Sequence, residues 1–235
     1  MNKYLTILTV LILFTACSSN EDKMTLTGNV KGLKKGTLLL QKIQDSLLVS
    51  VDSVFVNGNS LFSFKETILE PEIYYLNVRL ENGILKDDRI SFFAESNPIN
   101  ISTTLTNFAI DAKVTGSNNQ EKYKNYKKII DRYSDKNLEL IEQSFKATKQ
   151  GNDSLANKLD STQKSILAKK YLATISFALS NKDFEISPYL IVSHVNDAKL
   201  VYLDSVYNNL SKKIKDSKYG KDLESLIQSR KNLDN

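Results

Sequence analysis

One cysteine, Cys17, and one histidine, His194, make up the whole thiol and imidazole complement of this 235-residue chain. A lone thiol cannot close an internal disulfide, form a Cys-x-x-Cys redox pair or complete a cysteine zinc site, and a lone imidazole excludes the His-Glu-x-x-His zinc motif. Acidic residues adjoin each other only in turns or on helix faces, as at Asp87-Asp88, which reads as a loop tip between Leu85 and Arg89. Serines stand near aspartates throughout, yet no Gly-x-Ser-x-Gly elbow occurs. His194 lies in an apolar stretch, Leu190 to Val195, without a partnered nucleophile. A general base needs such a partner, so packing is the expected role of this ring. No catalytic residue set, metal site or cofactor motif is legible, and a non-enzymatic role is expected.

The position of Cys17 gives it a different chemistry. Lys3 precedes an uncharged run from Tyr4 to Phe14, which ends in Leu13-Phe14-Thr15-Ala16-Cys17. A positive start, a short apolar core and small residues before a cut site make an export signal. A cysteine directly after the cut reads as a lipoprotein lipobox, cleaved after residue 16 and acylated on the thiol. Phe14 stands where leucine is usual, with Leu13 one place further back. The apolar run is about eleven residues, whereas a spanning helix needs roughly twenty. The residues after the cysteine, Ser18 to Lys23, are polar and read as a tether rather than the surroundings of a buried thiol. A diacylglyceryl group plus an N-acyl chain passes the two-chain threshold for stable anchoring, each buried methylene contributing about 0.8 kcal/mol. The expected location is the cell envelope, anchored to a membrane and most readily the outer membrane.

The formal net charge of +5 is mild and interleaved. Lys122, Lys124, Lys127 and Lys128 resemble a basic patch, but Glu121, Asp131 and Asp135 break it into a solvated helix face. Nucleic acid is not an expected partner. The membrane and a protein partner in the envelope are.

The elements that must carry these residues fall into two halves, giving an expected α+β fold. Residues 24–116 read as an antiparallel β-sandwich or open barrel, with short strands between turn signals. Met24 to Val30 alternates, Thr37 to Ile43 is apolar, and Val49, Val51, Val54 and Val56 follow. Asn57-Gly58 predicts a hairpin leading into Leu61-Phe62-Ser63-Phe64. Further strands are expected at 73–80, 90–94, 99–102 and 108–114. Beyond Gly116 the period becomes helical. Ser117 and Gln120 fit a capping box. Tyr123, Tyr126, Ile130 and Tyr133, continued by Leu140, Ile141 and Phe145, share one face of a helix over 119–149. That stripe reads as core, with Tyr123, Tyr126 and Tyr133 as partner-binding candidates should it be exposed. Gly151 ends this helix and Asp153 caps a second over 153–181, so the two should pack antiparallel. Ser187-Pro188 is expected to start a third helix and Asp197–Lys215 to form a fourth, with a short terminal helix near Leu223 to Ile227. The expected organisation is a signal peptide over 1–16, a lipidated tether over 17–23, a β-domain over 24–116 and a helical arm over 117–235.

Several of these segments together resemble Bacteroidetes lipoproteins of the thioredoxin/peroxiredoxin-like group, which begin with a domain of unknown function. The resemblance rests on Gly28-Asn29-Val30-Lys31-Gly32-Leu33, Asp52-Ser53-Val54, Asn57-Gly58 with Phe62-Ser63-Phe64, Tyr74-Tyr75-Leu76 and Gly116-Ser117. In the helical part it rests on Phe177-Ala178-Leu179, Ser187-Pro188-Tyr189 and Lys218-Tyr219-Gly220. In that group a thioredoxin-like domain with Cys-x-x-Cys follows the helical arm. Residues 1–235 hold no counterpart, so the resemblance implies the accessory region without redox chemistry, which needs a free thiolate and a resolving partner. Asp-Ser followed by an aliphatic residue or threonine also looks like the O-glycosylation acceptor of exported Bacteroidetes proteins. It occurs at Ser46, Ser53, Ser154, Ser161 and Ser205. Asp-Ser pairs are equally common as turn and cap residues. The expected function is a non-catalytic binding or docking module. The alternatives are an accessory acting in trans on a thioredoxin-like lipoprotein, and a hydrolase of envelope glycans or peptides. A convergent acid pair in a deep cleft would mark the hydrolase.

Overall fold

The computed structural model describes residues 22–233. Cys17 lies outside them. Eight strands precede six helices: β1 Lys23–Lys31, β2 Lys35–Gln44, β3 Leu47–Asn57, β4 Leu61–Thr67, β5 Glu72–Leu80, β6 Ile90–Ala94, β7 Pro98–Thr104 and β8 Lys113–Thr115. Then follow α1 Asn118–Lys149, α2 Asp153–Ser180, α3 Ile186–His194, α4 Leu200–Asn209, α5 Lys212–Asp216 and α6 Lys218–Leu233. The fold is α+β.

The strands form two four-stranded sheets, ordered β4-β1-β7-β8 and β3-β2-β5-β6. All pairings are antiparallel except β1 with β7, which is parallel. Alternation sends Met24, Leu26, Phe62, Phe64, Ile99 and Ile101 of the first sheet against Leu38, Leu40, Leu76, Val78 and Phe92 of the second. Neither sheet closes on itself, so the architecture is a sandwich and not a barrel. Gly28 makes the central crossing possible: a Cβ there would lie 2.0 Å from the Ile101 carbonyl and 2.5 Å from the Phe62 ring.

Two β-domain expectations need correction. Asn57-Gly58 is not a hairpin turn. β3 pairs with β2 and β4 with β1, so this segment carries the chain from one sheet to the other. Phe62 and Phe64 must face inward beside β1, and Val30 N–H holds the crossing by donating to the Ser60 carbonyl at 3.1 Å. The two-residue hairpin is Asp45-Ser46, both at positive φ, joining β2 to β3. The expected 108–114 strand is also mostly a turn. Thr104 Oγ1 accepts from Asn107 N–H and donates to Asp111, Thr103 Oγ1 donates to the Phe108 carbonyl, and the fully buried Phe108 plugs the sandwich end. Only β8 remains as strand.

The helical half begins as expected, with α1 and α2 antiparallel around Gly151 at φ 71°. Its caps differ. Asn152, not Asp153, accepts from Leu155 N–H. Ser117 accepts from Gln120 N–H, but Gln120 does not reach back; its Oε1 accepts from Phe93 N–H on β6 at 3.0 Å. Ser187 lies inside the first turn of α3 and donates to the Ala178 carbonyl of α2 at 2.8 Å. The expected 197–215 helix breaks at Leu210-Ser211, where Ser211 N–H turns to the Lys182 carbonyl. Leu140 is buried, but Ile141 and Phe145 point to solvent, because the antiparallel pair outruns the core that covers the first turns of α1 and the last turns of α2.

The joint between the halves is tightest at Gly116. Its φ is +99°, and a Cβ would stand 2.1 Å from the Pro98 carbonyl. Gly116→Ala should therefore cost about 2–4 kcal/mol in urea unfolding, since it strains the backbone and forces β7 away from the start of α1. A variant as stable as wild type would show that this joint can relax freely.

Candidate functional site

The sandwich and the helices meet at a carboxylate. Glu95, directly after β6, is only 5% exposed. Its Oε1 accepts from Ser117 Oγ at 3.0 Å, Asn119 N–H at 2.7 Å and Asn119 Nδ2 at 2.9 Å; its Oε2 accepts from Asn118 N–H at 2.9 Å. The negative charge thus lies on the unpaired N–H groups and positive dipole end of α1. Asn119 carries the network onward. Its Nδ2 also donates to Glu185 at 2.9 Å, and its Oδ1 accepts from Ile186 N–H, the first residue of α3, at 2.8 Å. A second glutamate repeats the device: Glu70, before β5, accepts from Lys218 N–H at the start of α6 at 2.7 Å.

Beside these caps lies an aromatic layer. Phe93 and Ile73 of the second sheet pack with Tyr126, Ile130, Ile186, Leu190 and Tyr219. Phe93 meets Tyr189 edge-on at 5.1 Å, and Tyr219 Oη accepts from Ile73 N–H at 2.9 Å. Tyr126 is buried, with its hydroxyl 3.1 Å from Thr174 Oγ1, and Tyr123 and Tyr133 are half-buried. The three candidate tyrosines are thus mainly packing residues. Part of their cover comes from β5 and β6, which the helical periodicity alone could not reveal.

Tyr123 stands between two clefts. The larger, about 1010 Å³, opens between the outer face of β1, β7 and β8 and the first turns of α1. Lys31, Lys113, Lys124 and Lys127 line it, along with Asn29, Ser102 and Thr115. Asp111 is its one lining carboxylate. The smaller, about 270 Å³, lies between α1 and α2 and is lined by Tyr126, Ser134, Leu167, Lys170 and His194.

Residues 24–123 match the family model of a domain of unknown function, DUF4369. No curated protein matches the chain. The DUF4369 segment runs past Gly116 to Tyr123 and so includes both Glu95 and the α1 turn it caps. The matched residues thus span the sandwich together with its helix socket.

The chemistry available is limited in kind. Glu95 and Glu185 are a buried acid pair bridged by Asn119, but neither lines either of these clefts: Glu95 is turned onto the N–H groups of α1, and Glu185 onto Asn119 Nδ2 and Lys213, whose Nζ lies 3.7 Å away. In the smaller cleft Lys170 Nζ donates to Ser134 Oγ at 3.1 Å, a contact not anticipated from the sequence, where the two residues are 36 apart. Ser134 in turn donates to the Ile130 carbonyl at 3.2 Å. Its proton is therefore committed to the helix backbone, and the neighbouring N–H groups are spent inside α1. Among the described residues no group of three or more His, Cys, Asp or Glu side chains is placed to hold a metal ion.

The glycosylation candidates are all on the surface. Ser46 sits in the β2–β3 hairpin, Ser53 on β3, and Ser154 and Ser161 on α2, each exposed; Ser205 on α4 is partly so. Nothing else joins them into one site.

His194 stacks on the aromatic layer, on Tyr126 at 5.6 Å and on Tyr123 at 6.4 Å, and is exposed to solvent on its other side. Burial against these rings lowers its pKa below the ordinary 6.5, and the charges of Lys170 and Lys127 add to the effect. The folded state then binds a proton less readily than the unfolded chain. Its contribution to stability is complete above about pH 6.5 and is lost as pH falls through the lowered pKa. The single imidazole should titrate below 6.5 by NMR. His194→Phe, which keeps the stack, should lose less stability than wild type between about pH 7 and pH 5. Parallel losses would show that the ring is not desolvated.

Proposed function

We propose that this chain is a non-catalytic, lipid-anchored binding module of the bacterial cell envelope, acylated on Cys17 and held at a membrane, the outer membrane by preference. The surface that does the binding is the large cleft between the first sheet and α1. The observation that carries this reading is the cleft's composition: four lysines and a rim of Asn, Ser and Thr hydrogen-bonding groups around half-buried Tyr123, facing a single lining carboxylate. Such a surface suits an extended acidic segment of a partner protein, with the lysines selecting charge and the polar sheet face pairing with backbone groups. The Bacteroidetes lipoprotein resemblance and the match of residues 24–123 to a domain of unknown function are compatible with this role. The hydrolase alternative is disfavoured because the buried pair Glu95 and Glu185 is held by the α1 N–H groups, Asn119 and Lys213 and lines neither of the two clefts.

Binding is tested with the detergent-solubilised mature protein and a fluorescent hexaglutamate peptide as probe. Anisotropy should show binding that weakens steeply as salt rises from about 0.05 to about 0.3 M. Lys113→Glu with Lys124→Glu should weaken it at least about tenfold while leaving the melting temperature unchanged. Unchanged affinity in the folded double variant overturns the cleft assignment.

Anchoring is tested separately. Cells fed an alkyne fatty acid should label the wild-type protein, and Cys17→Ser should abolish the label and the partitioning into detergent. A labelled serine variant would place the acyl group elsewhere.

A further inference from the structure

The strand registers place several exposed apolar side chains at the end of the sandwich from which the tether emerges. β1 begins at Lys23 opposite Thr67, and Ile68 N–H donates to the Asp22 carbonyl at 2.6 Å. The start of the described chain is therefore pinned to the segment that crosses from β4 to β5. Leu69, the next residue, is 85% exposed. β5 starts at this same end with Glu72. β2 runs antiparallel to β5, with Lys42 opposite Tyr74 and its Nζ 3.6 Å from Glu72. The β2–β3 hairpin consequently projects past the same end. It carries Ile43, Leu47 and Leu48, all exposed, Leu47 to 68%. Of the carboxylates at this end, Glu70 accepts from Lys218 N–H and Glu72 pairs with Lys42 and Lys218, while Asp22, Glu66 and Asp45 at the hairpin tip are acidic groups that must stay at the level of the polar headgroups.

Four residues lie between Cys17 and Asp22, so the five steps from one to the other reach at most about 18 Å when fully extended. An acylated Cys17 thus keeps this end of the sandwich within tether reach of the lipid surface. We infer that Leu69 and the Ile43–Leu48 hairpin form a membrane footing that seats in the interfacial region of the phospholipid leaflet holding the anchor. The inference rests on the reading of Cys17 as acylated. Apolar side chains left without protein cover at this end are covered by the headgroup and acyl boundary, as on interfacial helices. With the hairpin and Leu69 both seated, the sandwich stands on its end and no longer swings freely on its tether. The cleft then has a fixed orientation: Lys31 and Thr104, at the opposite ends of β1 and β7, face away from the bilayer.

The test uses the full-length acylated protein reconstituted in phosphatidylethanolamine–phosphatidylglycerol vesicles. A single new thiol is introduced by Leu47→Cys, Leu69→Cys or Ile110→Cys and labelled with a fluorophore; a blocked Cys17 takes no label. Ile110 is 86% exposed in the turn after β7, at the far end, and serves as the reference. The protein should float with the vesicles, and a nitroxide lipid should quench the label at positions 47 and 69 at least about threefold more than at position 110. Flotation with equal quenching at the three positions leaves the anchor in place and overturns the footing. Failure to float, or labelling of Cys17 itself, overturns the anchor reading, and the footing falls with it.

Discussion

The structure depends on one buried carboxylate, Glu95. A charge this deeply desolvated is costly unless it is fully paired, and here the pairing is supplied by the N-terminus of α1. Four donors from three consecutive residues, Ser117 to Asn119, converge on its two oxygens. The arrangement has a direction. The sheet supplies the negative group and the helix the unsatisfied N–H groups, so neither half can finish its hydrogen bonding alone. Because Asn119 also holds Glu185 and Ile186 N–H, the position of α3 is set by the same contact.

That constraint explains the aromatic layer. Once α1 starts at Glu95, its first turns must pass over Phe93, and Gln120 falls where it can accept the outward N–H of that residue. Tyr123 and Tyr126 then lie one and two turns on. α6, held by Glu70 and by the Tyr219 hydroxyl on Ile73 N–H, closes the other side. The walls of the large cleft are consequently fixed relative to each other: one is the outer face of β1 and β7, the other an α1 whose origin is clamped. A cleft built across two structural halves needs such a joint to keep its shape, since its lysines come from both.

Much of this was legible in the sequence. Alternation from Met24 to Phe64 and the change of period at Gly116-Ser117 give the two halves, and Ser117 and Gly151 give the limits of α1. What was not legible involved partners distant in sequence. Gln120 was spaced to close a capping box, yet a sheet-edge N–H from Phe93 competes for its side chain and wins. Asn57-Gly58 has hairpin chemistry, but Phe62 and Phe64 have to pack beside Gly28, and that sends β4 to the opposite sheet. Asp45-Ser46 made the hairpin without the glycine that signals one. Glu95 left no trace: an isolated glutamate before Ser96-Asn97 reads as a loop residue, and only the fold shows that it is the socket of α1. The tyrosine stripe was read correctly as periodic, while its cover by Ile73 and Phe93 required knowing which sheet edge the helix meets.

The edges of the two sheets show what the helical half contributes to the sandwich. An unpaired strand edge invites association with other chains. β8 limits this by being three residues long, and β4 by carrying Lys65 and Glu66. β6 has the apolar sequence Ile90-Ser91-Phe92-Phe93-Ala94 and neither defence. It is the edge that α1 covers, with Gln120 taking its N–H and the aromatic layer taking Phe93. β3 is the long remaining edge, with eleven residues, one charge at Asp52 and a register shift opposite Leu40 and Gln41 that interrupts regular pairing. The helical arm is therefore a structural requirement of the second sheet: without α1 and α6, Phe93, Ile73 and the β6 edge would be bare. Glu70, just before β5, and Glu95, just after β6, stand at the same end of that strand pair, so the two caps bring the helices to the edge that lacks protection of its own.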